Sequence, residues 1–174
     1  MEIVPATIEH FEAILAWNEE YVDVLAPLTR PELESLAALA TYHRVALDGD
    51  DLAGFVVAFG SESDHDSVNF RWFSVRYPSF LYIDRVVVAS PWQRRGVGAL
   101  LYRDLFAFAR HEGYELVTCE IDAEPPNPRS AMFHERLGFG EVGTQCVEYV
   151  VGKPKLVTMR AAPLPRSNDV IAHL

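Results

Sequence analysis

The succession of apolar patterns along the chain predicts an α/β (α+β) fold, a mixed, mostly antiparallel sheet with helices on both faces. Three observations carry this. Runs of strand composition alternate with runs of helical spacing. An Asp-Gly hairpin signal joins two of the strands. A β-branched strand also passes through a glycine-containing turn into a long amphipathic helix between residues 80 and 112. A length of 174 residues with 49% hydrophobic content suits one domain with a sizeable core.

Ile3-Val4-Pro5 reads as a short first strand. From Glu9 to Glu20, Phe11, Ile14, Leu15 and Trp17 share one face, and Thr7 is placed to cap this first helix. Val22 to Leu28 is a turn-like apolar connection. A second helix opens at Arg30-Pro31-Glu32, with Pro31 where a missing N–H costs nothing. Its buried side is Leu33, Leu36, Ala37 and Ala40. Strands at Tyr42 to Leu47 and Leu52 to Gly60 flank the turn Asp48-Gly49-Asp50-Asp51. Residues 61–79 begin polar, become aromatic and read as a loop, of a size that is often functional.

A strand at 80–89 and a helix at 96–112, stopped by Gly113, follow. Leu116 to Ala123 is the next strand, ended by prolines at 125, 126 and 128. Asn127 caps a short helix from Pro128 to Leu137, and Gly138 terminates it. Glu141 to Val151 and Pro154 to Met159 pair around Gly152-Lys153. From Ala161 the tail reads as an extended arm. The expected organisation is one domain over residues 1–162 and a tail over 163–174, with element order βααβββαβαββ.

The most informative segment is Gln93-Arg94-Arg95-Gly96-Val97-Gly98-Ala99, between the strand Phe80 to Ala89 and the helix carrying Val97, Leu100, Leu101, Leu105, Phe106, Phe108 and Ala109. Two glycines leave backbone N–H groups unshielded at the positive end of a helix dipole, a geometry that binds anions and phosphates above all. Arg94 and Arg95 add fixed positive charge. A glycine-eased turn with solvated arginines is the plainer alternative. There is no Gly-x-x-x-x-Gly-Lys-Ser/Thr and no Gly-x-Gly-x-x-Gly, which argues against a nucleotide-hydrolysing loop and a dinucleotide fingerprint.

Composition narrows the function. A formal net charge of −10 disfavours nonspecific nucleic-acid binding and is compatible with a cationic acceptor. No apolar run approaches the roughly 20 residues needed to span a bilayer, and Met1-Glu2-Ile3-Val4-Pro5 lacks the features of a signal peptide. Cys119 and Cys146 both fall in apolar strand-like segments and read as small core residues rather than a disulfide. A cytoplasmic location is expected. His, Cys, Asp and Glu show no metal-ligand spacing, so no metal is expected.

Gln-x-x-Gly-x-Gly preceded by Val88-Ala89-Ser90-Pro91-Trp92 looks like the coenzyme A pyrophosphate loop of the GNAT superfamily of N-acetyltransferases, whose pattern is Arg/Gln-x-x-Gly-x-Gly/Ala. Asn127-Pro128-Arg129-Ser130-Ala131-Met132-Phe133-His134-Glu135-Arg136-Leu137-Gly138-Phe139 resembles that family's later segment, where Asn, a small residue and an aromatic pair precede Leu-Gly-Phe. The resemblance covers roughly residues 45 to 150. Asn69-Phe70-Arg71-Trp72-Phe73, Tyr82-Ile83-Asp84-Arg85 and Pro125-Pro126-Asn127-Pro128 are similar to a bacterial branch of predicted acetyltransferases. The resemblance implies a GNAT-like acyl-CoA N-acyltransferase fold with acetyl-CoA as acyl donor. In that fold the strands at 80–89 and 116–123 run parallel and splay apart, opening a cleft for the pantetheine arm. It places pyrophosphate at Gln93, Arg94, Arg95, Gly96, Val97, Gly98 and Ala99, and the pantetheine near Asn127 and Phe133; Ser130 either meets the coenzyme too or is a solvated first-turn serine. A backbone N–H on Val86-Val87-Val88 would serve the oxyanion.

Acyl transfer from a thioester to an amine needs a neutral amine, an oxyanion donor and a leaving thiol. Strand alternation puts Thr118, Glu120 and Asp122 on one face, away from Val117, Cys119 and Ile121. A carboxylate in an apolar strand is costly to bury unless paired, so Glu120 is the first candidate for the base, with Asp122 as the alternative. A salt bridge from Glu120 to Arg85 or another arginine is the structural alternative. Tyr82 and Asp84 line the acceptor pocket or pair with the 61–79 loop. His65 and His10, in polar surroundings, read as solvated. Many GNAT enzymes carry Tyr where this chain has His134. An imidazolium there would protonate the departing thiolate, or the ring would only position the coenzyme. The reading is an acetyl-CoA-dependent N-acetyltransferase acting on a primary amine by direct attack. A non-catalytic coenzyme A-binding or acyl-CoA-sensing module is the alternative, and a homodimer is left open.

Overall fold

The computed structural model describes residues 1–165. Among them are seven strands, in the order β1-β2-β3-β4-β5-β7-β6, and five helices. β1 (Glu2–Pro5), β2 (Tyr42–Asp48) and β3 (Asp51–Gly60) pair antiparallel in sequence, as do β5 (Leu116–Glu124) with β7 (Lys153–Pro163) and β6 (Gly140–Val150) with β7. β4 (Phe80–Val88) pairs with β5 in parallel, with Phe80, Leu81 and Tyr82 opposite Leu116, Val117 and Thr118. The mixed, mostly antiparallel sheet expected from the sequence is therefore present.

The described residues fall into two compact units: Met1–His65 with Ile83–Leu105, and Asp66–Tyr82 with Phe106 onwards. In the first, a 3-10 turn leads into α1 (Phe11–Glu20), with Thr7 in a capping box with His10. α2 (Arg30–Leu39) starts after Thr29, which forms a capping box with Glu32, and Pro31 lies in its first turn. Ile14 and Leu33 are fully buried beside the continuous apolar run of β3. A β-carbon on Gly54 of β3 would lie 2.6 Å from the Val87 carbonyl and 3.2 Å from Leu101 Cδ1. Only a residue without a side chain permits that approach. This close contact fixes the height of β4 just before the glycine-containing turn.

The second unit contains an element that the sequence reading took as loop. α3 (Val68–Ser74) lies within residues 61–79, capped by the Ser67 side chain, which accepts from the Phe70 N–H at 3.0 Å. At seven residues it is too short to show two clear turns of periodicity, and its aromatics imitate a strand. Phe70 and Phe73 are buried against Phe80 and Tyr82, with ring centroids 5.5–6.0 Å apart. The indole of Trp72 covers Gly143 of β6, where a β-carbon would approach to 2.6 Å. Arg76 stacks on the same indole, 3.8 Å from its centroid.

Two further differences concern strand ends and cysteines. β7 continues four residues past Met159 to Pro163, and Leu164 is buried with its N–H bonded to the Glu115 carbonyl. The extended arm therefore does not begin at Ala161, and positions 166–174 lie outside the described residues. Cys119 is buried as expected, but Cys146 is exposed, because its position on β6 faces outward rather than into a second layer. Gly54→Ala should destabilise the protein by about 1–3 kcal/mol, since the overpacked atom is backbone and cannot move aside. Urea denaturation of the two proteins measures the difference.

Candidate active site

The turn after β4 belongs to the first unit. The Val88 carbonyl that ends the strand accepts from the Tyr21 hydroxyl at 3.3 Å and from Gln93 Nε2 at 3.1 Å. Gln93 Nε2 also donates to Tyr21 Oη at 2.6 Å. The Gln93 side chain thus folds back to close the turn. Ser90 adds a hydrogen bond to Glu20. Arg94 is held at φ 63° and Gly96 at φ 83°, and residues 94–96 are exposed. A non-glycine residue in this region costs about 1–2 kcal/mol, which the closed turn sustains at Arg94. At Gly96 a β-carbon would meet nothing within 4 Å, so the backbone angle rather than space requires glycine.

α4 (Val97–Glu112) follows directly. The helices α3 and α5 have their first amides capped by Ser67 and Asn127, whereas Gly96, ahead of α4, has no side chain to cap with. The N–H groups of Val97, Gly98 and Ala99 open the helix at its positive end, with the exposed Arg94 and Arg95 preceding them. This arrangement suits a polyanion. Upstream, Val87 is buried, and Val86 and Val88 are half-buried. The triplet serves partly as core.

Glu120 lies on β5 in the second unit, half-buried between two phenols. Tyr82 donates to its Oε1 at 3.1 Å and Tyr149 of β6 at 3.4 Å. Tyr149 Oη in turn accepts from Asn69 Nδ2 at 2.7 Å, and Asn69 Oδ1 accepts from Gln145 Nε2 at 2.7 Å. Asn69 on α3 is almost wholly buried. Burial, together with the Glu120 charge, pushes the Tyr149 phenol far above its ordinary value, so it stays protonated and donates. Asp122, two residues along the same face, is engaged by Lys155 at 2.8 Å, both side chains being largely buried. That ion pair occupies the Asp122 carboxylate, whereas Glu120 is held by phenols.

α5 (Pro128–Arg136) is capped by Asn127 Oδ1, which accepts from the Ser130 N–H at 3.2 Å, as the sequence suggested. His134 is buried and packs edge-on against Phe133 and Phe139. Its Nδ1 lies 2.8 Å from the Ser130 carbonyl and 3.3 Å from Ser130 Oγ. A carbonyl only accepts, so Nδ1 carries the proton. Burial holds the imidazole below its ordinary pKa; the Ser130 carbonyl opposes this shift and the Arg160 charge adds to it. A ring in that state is neutral at pH 7 and presents Nε2 as an acceptor, which is poor equipment for a general acid.

The sequence reading misplaced one histidine. His65 is not solvated: its side chain is 8% exposed, stacked on Phe59 at 3.8 Å and bonded through Nε2 to Asp84 Oδ1 at 3.1 Å. A polar run of sequence gave no sign of the aromatic plate beneath it. Asp84 also binds Arg85 Nε at 2.7 Å, and Arg85 reaches Asn18 Oδ1 at 2.9 Å. Burial alone would raise the Asp84 pKa, but Arg85 and His65 outweigh it and keep the carboxyl below the usual range. His10 is half-buried and serves the Thr7 capping box. Tyr149, Asn69 and Gln145 were not singled out as site residues. Gln145 and Tyr149 share a strand face by period two, but nothing local shows that α3 lies opposite them.

A strand ending in a left-handed turn that leads straight into a helix N-terminus, on a mixed sheet with one parallel pair, is the arrangement that the resemblance implies. The chain matches the Acetyltransferase (GNAT) family over residues 7–139, and it belongs to that family. It is a GNAT-type acetyltransferase. No curated protein gives a match. Among solved structures, it is similar to the ribosomal-protein-alanine N-acetyltransferase from Brucella melitensis, with 21% identity, coverage of 94% and 100% of the two chains, and a TM-score of 0.72. The ribosomal-protein-S18-alanine N-acetyltransferase from Escherichia coli matches at 15% identity over 95% of each chain, with a TM-score of 0.72. An N-acetyltransferase from Staphylococcus aureus Mu50 matches at 21% identity, 94% and 98% coverage and TM-score 0.70. These likenesses speak to the fold.

The state of His134 is directly measurable. Its pKa in the folded protein is below the unfolded value of about 6.5, so its contribution to stability is complete above that pH and is lost as the pH falls towards the folded value. Nitrogen-15 spectra of the ring at pH 7 should show the neutral Nδ1-protonated tautomer.

Proposed function

We propose that the protein transfers the acetyl group of acetyl-CoA to a primary amine by direct attack on the thioester, with Glu120 as general base. The observation that carries this reading is the half-buried Glu120 carboxylate held on Oε1 by two phenols, Tyr82 and Tyr149. A primary amine arrives protonated at neutral pH and attacks only after losing that proton. A carboxylate fixed in place by hydrogen bonds is suited to take it, and its charge favours a cationic acceptor. The Gly96–Ala99 amides with Arg94 and Arg95 would hold the pyrophosphate, and Asn127, Ser130 and Phe133 the pantetheine. The backbone of Val86, Val87 and Val88 would supply the oxyanion donor. Acetyl-CoA provides the activated thioester.

His134 would position rather than protonate. The thiol of coenzyme A, with a cysteine-like pKa of about 8.5, leaves without strong acid assistance. Asp122, tied to Lys155, would shape the field around Glu120. Among the described residues, no helix is long and apolar enough to cross a membrane.

Gly98→Asp should weaken acetyl-CoA binding at least about tenfold, because a side chain and a negative charge enter the phosphate site. Calorimetry on the folded variant reads this; unchanged affinity would remove the loop from the reading. Glu120→Gln keeps the size but cannot accept a proton. Free-thiol release with an amine panel should then fall on the order of 100-fold, with acetyl-CoA affinity nearly intact. Full activity in Glu120→Gln, together with loss in Asp122→Asn, would move the base to Asp122.

A further inference from the structure

We propose that Asn69 and Gln145 are positioning residues that fix the direction of a hydrogen-bond chain, Gln145 to Asn69 to Tyr149 to Glu120, so that Tyr149 always donates to the base. The proposal rests on Glu120 being the base. Every link lies within the second unit. Gln145 donates an amide N–H to Asn69 Oδ1 at 2.7 Å; with its oxygen taken, Asn69 turns its own NH₂ to Tyr149 Oη at 2.7 Å. An oxygen that accepts from Asn69 retains its own proton for the carboxylate. Run in reverse, the chain would present Tyr149 to Glu120 as an acceptor. An ionised carboxylate has no proton to give, so only the forward direction is compatible with a base ready to act.

The chain's elements give it leverage. α3 buries Asn69 almost completely, and the Trp72 indole seated on Gly143 holds that helix against β6, the strand that carries both Gln145 and Tyr149. Tyr82 of β4 donates to the same oxygen, Oε1, from the other side. Among the described residues, Tyr82 on β4 and Tyr149 on β6 bond Glu120, its charge acts on Cys119 beside it on β5, and Asp122, paired with Lys155 of β7, lies along the same strand. Asp122 and Lys155 offset one another, and the Tyr149 phenol stays protonated, so loss of a donor acts directly on the carboxylate. Such networks are worth more than their separate links and are resolved by double-mutant cycles.

The test is the pH dependence of kcat/KM between pH 5 and 9, using acetyl-CoA and the best amine from the panel. Loss of a donor disfavours the ionised form of Glu120. Tyr149→Phe should therefore move the ascending limb to higher pH by about one unit, the scale of one hydrogen bond to a charged group. Gln145→Glu is the direct test of direction. An acceptor-only group at this half-buried position makes Asn69 donate to residue 145 and offer its oxygen to Tyr149, which then turns its proton away from Glu120. The limb should again move up. In the double variant there is no hydroxyl left to redirect, so the shift should fall short of the sum of the two. Asn69→Asp, which captures the Tyr149 proton at closer range, provides a second variant with the same expectation if Gln145→Glu fails to fold.

A purely structural role predicts lower melting temperatures with the limb unmoved, and that result would overturn the proposal, as would additive shifts. The base assignment is separable. If Glu120→Gln abolishes turnover while Tyr149→Phe and Gln145→Glu leave the limb in place, the chain fails and the base stands. A fully active Glu120→Gln overturns both.

Discussion

The structure depends on how β4 ends. A strand whose last carbonyl is left without a partner would fray, and here Val88 C=O is satisfied by Tyr21 and by Gln93 from the turn it precedes. With that carbonyl closed off, the chain can take two left-handed residues, Arg94 and Gly96, and enter α4 directly. The close approach of Gly54 to Val87 fixes the same strand from its neighbour. The exposed turn ahead of α4 thus owes its shape to side-chain bonds made behind it, which bear the energetic cost of Arg94.

Much of this was legible in the chain itself. The helix starts at Thr7 and Thr29, the Pro31 position, the Asp-Gly hairpin, the Asn127 cap and the strand-turn-helix at 80–112 are local signals, each with a short-range physical cause. The family motif lies in the same local segments, which is why the class could be read from it. Glu120 stood out because a carboxylate on the polar face of an otherwise apolar strand demands an explanation.

What stayed hidden was contact between distant segments. α3 is seven residues long, too short for periodicity to declare it, yet it carries Asn69 into the interior. His65 reads as polar surface until Phe59 is seen beneath it and Asp84 beside it. Arg85 is adjacent to Asp84 in sequence and binds it, although strand alternation would send the two to opposite faces; a third residue, Asn18, draws the guanidinium round. The partners of Glu120 come from β4 and β6, 38 and 29 residues away, and no local pattern encodes them. Cys146 misled for a related reason: composition marks a strand but does not tell which face of an outer strand is covered.

The contact between Trp72 and Gly143 makes size at one position a condition on size at the other. With no side chain at 143, the indole seats directly on the backbone of β6, and Asn69, one turn earlier on α3, comes within 2.7 Å of both Tyr149 and Gln145. A methyl group at 143 would act as a shim, lifting the helix and lengthening both bonds at once. A smaller ring at 72 would make room for it. The pair should therefore exchange volume together through descent, and drift at either position alone is penalised at the carboxylate rather than where the atoms collide.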